Sequence, residues 1–416
     1  MLNDNKKKMK ILQVDDVDII GSAFNGHNLQ VSLNKMGIDV THAVKNKLGN
    51  EKTTYRLGTE TSYYYDNYIY NLEKELSMNN LLGIWDRYLE NSEQFQNANI
   101  IHYHKLHAGI MSLLRYPKLF KAKPTIWTIH DPWAFTGHCI HPLECNNWRV
   151  KCDKCPRLLD HFPLKQDKTS DLWEIKKNVY KNLDIDIVVS SDFMIDLIKN
   201  SPLTSHFEKI HKISFGVQLN LYNKKAKEEN RIRWNIKEDD VIIGFRVEDY
   251  FLKGCSYIYE AIKNIAVENI VILTVGYGKL PDNIRKKFRT IELGWLSDEQ
   301  TISNFFSSCD IFIMPSLAES FGLMAIEAMA SECVVIVFEK TVLENLVFAP
   351  DVGIAVAYKS SEAIRNEIIR LVKNPIEVKK RGIKARKIAE KYYDFNDYVL
   401  KHLELYNEIY YRQKIF

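Results

Sequence analysis

The sequence predicts an α/β protein made of two successive doubly wound parallel sheets, and three observations carry that expectation. Short apolar runs of strand length alternate with stretches of helical periodicity, the βαβ rhythm that produces parallel sheets. The rhythm pauses near residues 216–222 and then restarts. The chain has 416 residues, more than one core usually supports, so two domains of roughly 200 residues each are the natural division.

In the first half, "MKILQVD" (9–15) reads as a strand, and "HNLQVSLNKMGIDVTHAV" as a helix that ends at Gly37 and leads into a second strand. "YYYDNYIYNLEKEL" (63–76) is rich in tyrosine but has helical spacing. "NIIHYH" (99–104), "PTIWTIH" (124–130), "IDIVVSS" (185–191) and "KIHKISFGV" (209–217) continue the strand series. The second half offers "DVIIGFR" (240–246), "ENIVILTVGYG" (268–278), "RTIELGW" (289–295), "DIFIMPS" (310–316) and "CVVIVF" (333–338). A long aromatic-rich helix from Asp394 onward comes too late to extend the second sheet, so it is expected to cross back onto the first domain. The expected division is 1–216, 217–393 and a terminal helix over 394–416.

Apolar residues make up 46% and charged residues 26% of the chain, with only 17 glycines and 11 prolines, the composition of an ordered globular protein. A net charge of +4 is too thin for a nucleic-acid footprint. Its basic clusters, Lys6 to Lys10, Arg115 to Lys123 and Arg285 to Arg289, suit anionic small molecules or an anionic lipid surface, although an ordinary solvated face is the better reading of any one of them. No run is long and apolar enough to span a membrane, and the N-terminus lacks the apolar core of a signal peptide, so a cytoplasmic protein is expected. "LLRYPKLFKAKP" (113–124) interleaves apolar and basic residues, as a peripheral contact with the inner membrane would require and as a plain amphipathic helix also does.

The seven cysteines are odd in number, which argues for reduced thiols or a metal site in preference to a disulfide framework. Cys139, Cys145, Cys152 and Cys155 end in C-x2-C and can form a tetrahedral zinc site, with unbound thiols and disulfides as the alternatives. His102 and His104 alternate on one strand face and are a second metal candidate.

Chemistry concentrates in "DIFIMPSLAESFGLMAIEAMASE" (310–332). A strand ends at Pro315-Ser316, a turn carries Glu319, and a helix begins near Phe321, Gly322 and Leu323. Parallel sheets bind ligands at the carboxyl ends of their strands, and two such sheets facing one another would form a cleft there. The free N–H groups and dipole of that helix want an anion, and Gly322 lets a phosphate approach the backbone. Glu319 and Glu327 can accept hydroxyl hydrogen bonds on either side of it, sugar hydroxyls at the first and ribose hydroxyls at the second.

"PSLAESFGLMAIEAMA" (315–330) resembles the donor-binding segment of the retaining GT-B glycosyltransferases of family 4, in which such a glutamate pair flanks a nucleotide-sugar diphosphate. "IIGFRVEDYFLKGCSYIYEAI" supplies the arginine and the Lys-Gly pair of that family as Arg246 and Lys253-Gly254. "VGYGK" (275–279) matches its glycine-rich strand end at Gly276, and "GSAFNGHNLQVSLNKMGIDV" sits where the family has its first glycine loop, at Gly21. "IWTIHDPWAFTG" supplies its histidine, His130. Glu332-Cys333-Val334 replaces the Gly-Thr-Pro usual after the glutamate helix.

The resemblance implies two Rossmann-like domains, an acceptor domain followed by a donor domain, and transfer of a hexose from a nucleotide sugar to a lipid-linked or oligosaccharide acceptor of a surface glycan. Glu319, Lys253, Arg246 and His130 would be catalytic. Glu327, Phe321, Gly322, Leu323, Gly276 and Gly21 would bind donor and nucleotide. Cleaving a glycosyl–phosphate bond needs fixed positive potential at the leaving oxygen. Arg246, Lys253 and the helix N–H groups would supply it without a catalytic metal. Two other expectations stay open, a GT-B nucleotide-sugar 2-epimerase and a non-catalytic sugar-nucleotide-binding subunit.

Overall fold

The computed structural model describes residues 9–107, 109–160 and 162–412. Lys6 to Lys8 of the first basic cluster and residues 413–416 of the expected terminal helix lie outside these. The chain divides into two units, Met1–Ser214 with Val399–Phe416, and Phe215–Tyr398.

The first unit is built on β1 (Lys10–Val17), β2 (Asp39–Asn46), β3 (Thr54–Arg56), β4 (Ile100–Tyr103), β5 (Thr125–Thr128), β6 (Asp186–Val189) and β7 (Ile210–Lys212). Their order across the sheet is β3-β2-β1-β4-β5-β6-β7, and each pairing is parallel. β4, β5 and β6 are buried at every position, because helices cover both faces of a parallel sheet. The order runs outward from β1 to β3 and then returns to the other side of β1 at β4. The carboxyl ends of β1 and β4 therefore form the switch point where such sheets take ligands.

The second unit carries β8 (Val241–Arg246), β9 (Ile270–Val275), β10 (Arg289–Glu292), β11 (Ile311–Met314), β12 (Val334–Phe338) and β13 (Ile354–Val356). The order is β10-β9-β8-β11-β12-β13, again all parallel, which puts the second switch point between β8 and β11.

The core of the first unit is aromatic, with Trp85, Phe95, Tyr103, Tyr116, Trp127 and Tyr180 all buried. The segment 113–124 contributes to it. Leu113, Tyr116, Leu119 and Phe120 point inward, while Arg115 and Lys118 pair with Glu90. Its apolar face is thus spent mostly on the core, and Leu114 is the large apolar residue of that segment that stays exposed. No helix among the described residues is long and apolar enough to cross a membrane.

The terminal helix spans Phe395–Arg412. Its start belongs to the second unit, where Val217 N–H donates to Tyr393 O at 2.8 Å and Phe395 N–H donates to Val217 O at 3.2 Å. From Val399 onward it belongs to the first unit. There Arg412 Nη1 lies 3.0 Å from Asp186 Oδ2, and the Tyr406 hydroxyl bonds His102 Nδ1 at 2.6 Å beneath β4. His102 Nε2 bonds Thr128 Oγ1 at 2.7 Å, so a neutral imidazole is fully satisfied in a dry site. Tyr406→Phe strands a buried ring nitrogen, and a loss of about 1–3 kcal/mol is expected. Urea unfolding of the variant measures it, and an unchanged midpoint would show that the hydroxyl contributes nothing.

Candidate functional site

The residues after β8 and after β11 meet at the switch point of the second unit. Arg246 ends β8, and its chain turns through Phe251–Lys253 into the helix Cys255–Lys263. Past β11, the chain passes Glu319 and enters the helix Leu323–Ala330. The two loops are bound together by Leu317 N–H donating to Leu252 O at 2.8 Å. Their approach requires Gly254, which has φ of 68° and on which a Cβ would lie 2.0 Å from Pro315 O. Across this joint Lys253 Nζ sits 2.7 Å from Glu319 Oε1. The structure thus brings the predicted lysine and the turn glutamate into direct contact.

The helix that follows has no side-chain cap, and Gly322 at its N-cap takes φ of 123°, a conformation side-chain-bearing residues rarely adopt. The N-cap residue itself thus has no side chain to consume the first N–H groups. Phe321 turns its ring into the interior, edge-on to Phe215 at 5.3 Å and to Tyr393 at 6.0 Å, so only its backbone can serve a ligand. Leu323 is the first helical residue and half-buried.

Glu327 keeps part of its surface exposed, yet burial of its carboxyl pushes its pKa up to about 7, with the charge of Glu299 adding to the rise and a hydrogen bond from Tyr222 opposing it. That bond runs from the Tyr222 hydroxyl to Oε1 at 3.2 Å. Ser331 and Glu332 end this helix, and Glu332 takes φ of 59°, which explains why a glycine would suit that position.

Arg246 pairs with Glu248 and lies 5.7 Å from the centroid of the Trp295 ring, while its Nε is buried without a partner. Gly276, at the end of β9, donates its N–H to Gly294 O at 2.8 Å and packs against the carbonyl of Val247, so it ties together the loops after β8, β9 and β10. Three neighbours were not foreseen from the sequence. Tyr277 and Trp295 stack at 4.2 Å and 10°, both exposed, past the ends of β9 and β10. Cys255 donates its thiol to Arg246 O at 3.2 Å and accepts from Glu248 N–H at 3.4 Å, fixing the turn after β8. Exposed aromatic pairs at strand carboxyl ends are a signal that a search for "GYG" and "LGW" after apolar runs would have found.

In the first unit, His130 follows β5. Burial lowers its pKa to about 3, so it is a neutral imidazole and a hydrogen-bonding group, not a cation. Its Nε2 lies 3.3 Å from His104 Nδ1, and its ring lies 5.7 Å from Phe24. Asp15, His104 and His130 offer ligand atoms within 4.8 Å of one another, and they are the group of that kind among the described residues. His102 is not part of it, since both its nitrogens are bonded. Gly21 lies in the loop after β1 against the Phe24 ring, whereas Gly26, at the start of the helix His27–Lys35, is the glycine that abuts buried polar atoms, Gln13 Oε1 and His104 Nε2. Cys139, Cys145, Cys152 and Cys155 line one cavity of about 10 Å³, although their sulfurs are not gathered within 4.8 Å of one another.

Residues 226–388, which hold Arg246, Lys253, Gly276, Glu319, Gly322 and Glu327, match the family described as Glycosyl transferases group 1. The glycosyl transferase WcaC of Escherichia coli, whose name refers to colanic acid biosynthesis, is 32% identical over 91 residues, 20% of this chain and 22% of its own length. An MMP alpha-(1->4)-mannosyltransferase of Mycolicibacterium hassiacum is 26% identical over 246 residues, 56% of each chain. The chain thus spans between about a fifth and about half the length of these curated relatives. Sucrose-phosphate synthase of Thermosynechococcus elongatus superposes with a TM-score of 0.69 over 97% of this chain and 100% of its own, at 16% identity. Anabaena HepE, solved in complex with UDP-glucose, gives 0.64 over 96% and 100%, at 13% identity. Two parallel-sheet α/β units of this kind are the GT-B fold.

Proposed function

We propose that this chain, carrying a Glycosyl transferases group 1 domain on a GT-B fold, is a retaining glycosyltransferase of family 4 that moves a hexose from a nucleoside diphosphate sugar to a surface-glycan acceptor. The observation that carries the reading is the Lys253–Glu319 pair beside an uncapped helix N-terminus at the β8/β11 switch point. Lys253, Arg246 and the N–H groups at Gly322 and Leu323 hold the diphosphate and stabilise charge as it builds on the leaving oxygen. Glu319 takes sugar hydroxyls, Glu327 takes the ribose hydroxyls, and the exposed face of Tyr277–Trp295 offers a stacking surface for the base. To His130 we assign orientation of the transferred sugar. Lipid-linked or oligosaccharide acceptors fit the reading, with catalysis independent of a divalent metal. Relatives named for a polysaccharide and for a mannosyl transfer, and a fold neighbour holding UDP-glucose, support this choice of substrate class.

A thermal-shift panel of UDP-, GDP- and ADP-hexoses tests it. A donor at one hundred times its dissociation constant adds about 2.7 kcal/mol of stability. Turnover of that donor without added magnesium or manganese is the expected result. Epimerised donor, or binding without any turnover in the presence of acceptor extracts, would replace the transferase by a 2-epimerase or a binding subunit.

Glu327 supplies a pH test. Hydroxyl donors need its ionised form, and burial holds its carboxyl near a pKa of about 7. Affinity for the free nucleoside diphosphate should therefore rise as pH increases through about 7, and Glu327→Gln should remove that component. The same raised carboxyl contributes stability below its free value of 4.5 that is lost as pH rises through about 7. Calorimetric titrations at several pH values on both proteins measure the difference, and equal slopes would exclude Glu327 as the ribose ligand.

A further inference from the structure

The segment between β5 and the helix Thr169–Tyr180 is long and almost without regular structure. Across residues 129–168 the described residues form only two short 3-10 turns, Pro132–Phe135 and Asn147–Arg149. Loops beyond roughly 12–15 residues without secondary structure are uncommon in compact domains, so something other than a backbone ladder must hold this one. Its apolar contribution is partial. Trp133, Phe135 and Trp148 are buried, whereas Val150 and Leu159 are more than 70% exposed.

Four thiols lie in this segment, although no three of their sulfurs are within 4.8 Å of one another. Cys139, Cys145, Cys152 and Cys155 line a single cavity of about 10 Å³, together with His138, Trp148 and Thr169. The C-x2-C turn is tightened by Lys154, whose φ is 46°, a left-handed conformation that a lysine adopts at a cost of about 1–2 kcal/mol. A backbone donor already points at one of the sulfurs, since Gly137 N–H donates to Cys152 Sγ at 3.1 Å. Hydrogen bonds of this kind orient thiolate ligands around a metal.

A buried lysine stands behind the cluster. Lys176 is only 1% exposed, and its Nζ donates to the carbonyls of Trp133 at 2.5 Å and Thr136 at 3.0 Å, which ties the start of the segment to the helix Thr169–Tyr180.

We infer that Cys139, Cys145, Cys152 and Cys155 form a structural zinc site that staples the 129–168 segment to the first unit. On binding one Zn²⁺ the four thiols release four protons to solvent, giving a tetrathiolate of net charge −2. Neutral thiols have no reason to draw together, and binding requires the four sulfurs to close around the metal. The inference does not depend on the transferase reading, because all four ligands lie in the first unit, outside the switch-point residues of the second.

The full chain, purified without a chelator or a metal-affinity tag, is analysed by plasma mass spectrometry. About one zinc per chain is expected, with at least a tenfold drop in Cys145→Ser and Cys155→Ser. Because those variants risk misfolding, a second measurement uses the unaltered protein. Cobalt exchanged for zinc should give the intense visible absorption of a tetrahedral cobalt thiolate, and native alkylation should spare these four cysteines until the metal is removed. Iron in place of zinc, an intact disulfide among the four by mass, or metal-free protein with all four thiols alkylated would each overturn the site.

Discussion

Lys253→Ala is expected to lower sugar transfer by about a hundredfold or more, and Arg246→Ala by a similar factor, because each removes a preorganised charge from the leaving group. Neither change should unfold the protein. Lys253 and Glu319 are both partly exposed, and ion pairs of that kind add little to stability. Arg246 leaves Glu248 beside water and Trp295 without its cation, a local loss at the rim of the second unit. The loss should appear in kcat more than in donor KM, since the charge matters most when the bond is breaking. Initial rates, with melting temperatures as the fold control, measure both. Unimpaired turnover in the two variants would remove these residues from the site.

Glu319→Gln and Glu327→Gln should give opposite patterns. If Glu327 holds the ribose, its glutamine variant weakens the donor and the free nucleoside diphosphate alike, because both ligands carry that sugar. If Glu319 meets only the transferred hexose, Glu319→Gln should cut transfer while leaving diphosphate affinity unchanged or slightly higher. The increase follows from the structure, since the substitution releases Lys253 from its 2.7 Å carboxylate partner. Calorimetry with the free diphosphate beside turnover with the donor reads both. Equal weakening of diphosphate binding by the two substitutions would show that the carboxylates do not divide the ligand in this way.

The α/β class and both sheets were legible because central parallel strands are buried on two faces and appear as largely apolar runs, unbroken in β12 and interrupted only by His102 in β4 and by threonines in β5. β3 and β13 were not legible. Each has three residues at a sheet edge, too few to show any periodicity. The amphipathic stretch 113–124 was legible as a helix but not as to its partner, since the same pattern suits a lipid surface and a protein core. Within the second unit, Arg246, Lys253, Glu319 and Gly322 could be read because each lies in a contiguous strand-to-helix turn. Tyr222, 105 positions from Glu327, and the Tyr277–Trp295 stack acquire their meaning only when distant loops are folded side by side. Gly21 was read ahead of Gly26 for the same reason, because a one-dimensional pattern does not say which glycine abuts the buried polar atoms.

The contact between Lys253 and Glu319 also sets a threshold for what can settle there. Glu319 is a resident counter-ion, tethered to the same framework, and a tethered group competes at an effective concentration of about millimolar or more. A simple anion gains Lys253 only by displacing that carboxylate from it, so free phosphate or chloride profits little from the exchange. A ligand that brings a phosphate for the lysine and hydroxyls for the glutamate compensates both released partners in one event. The pair therefore works as a conjunction, admitting the two chemistries together and discouraging either alone.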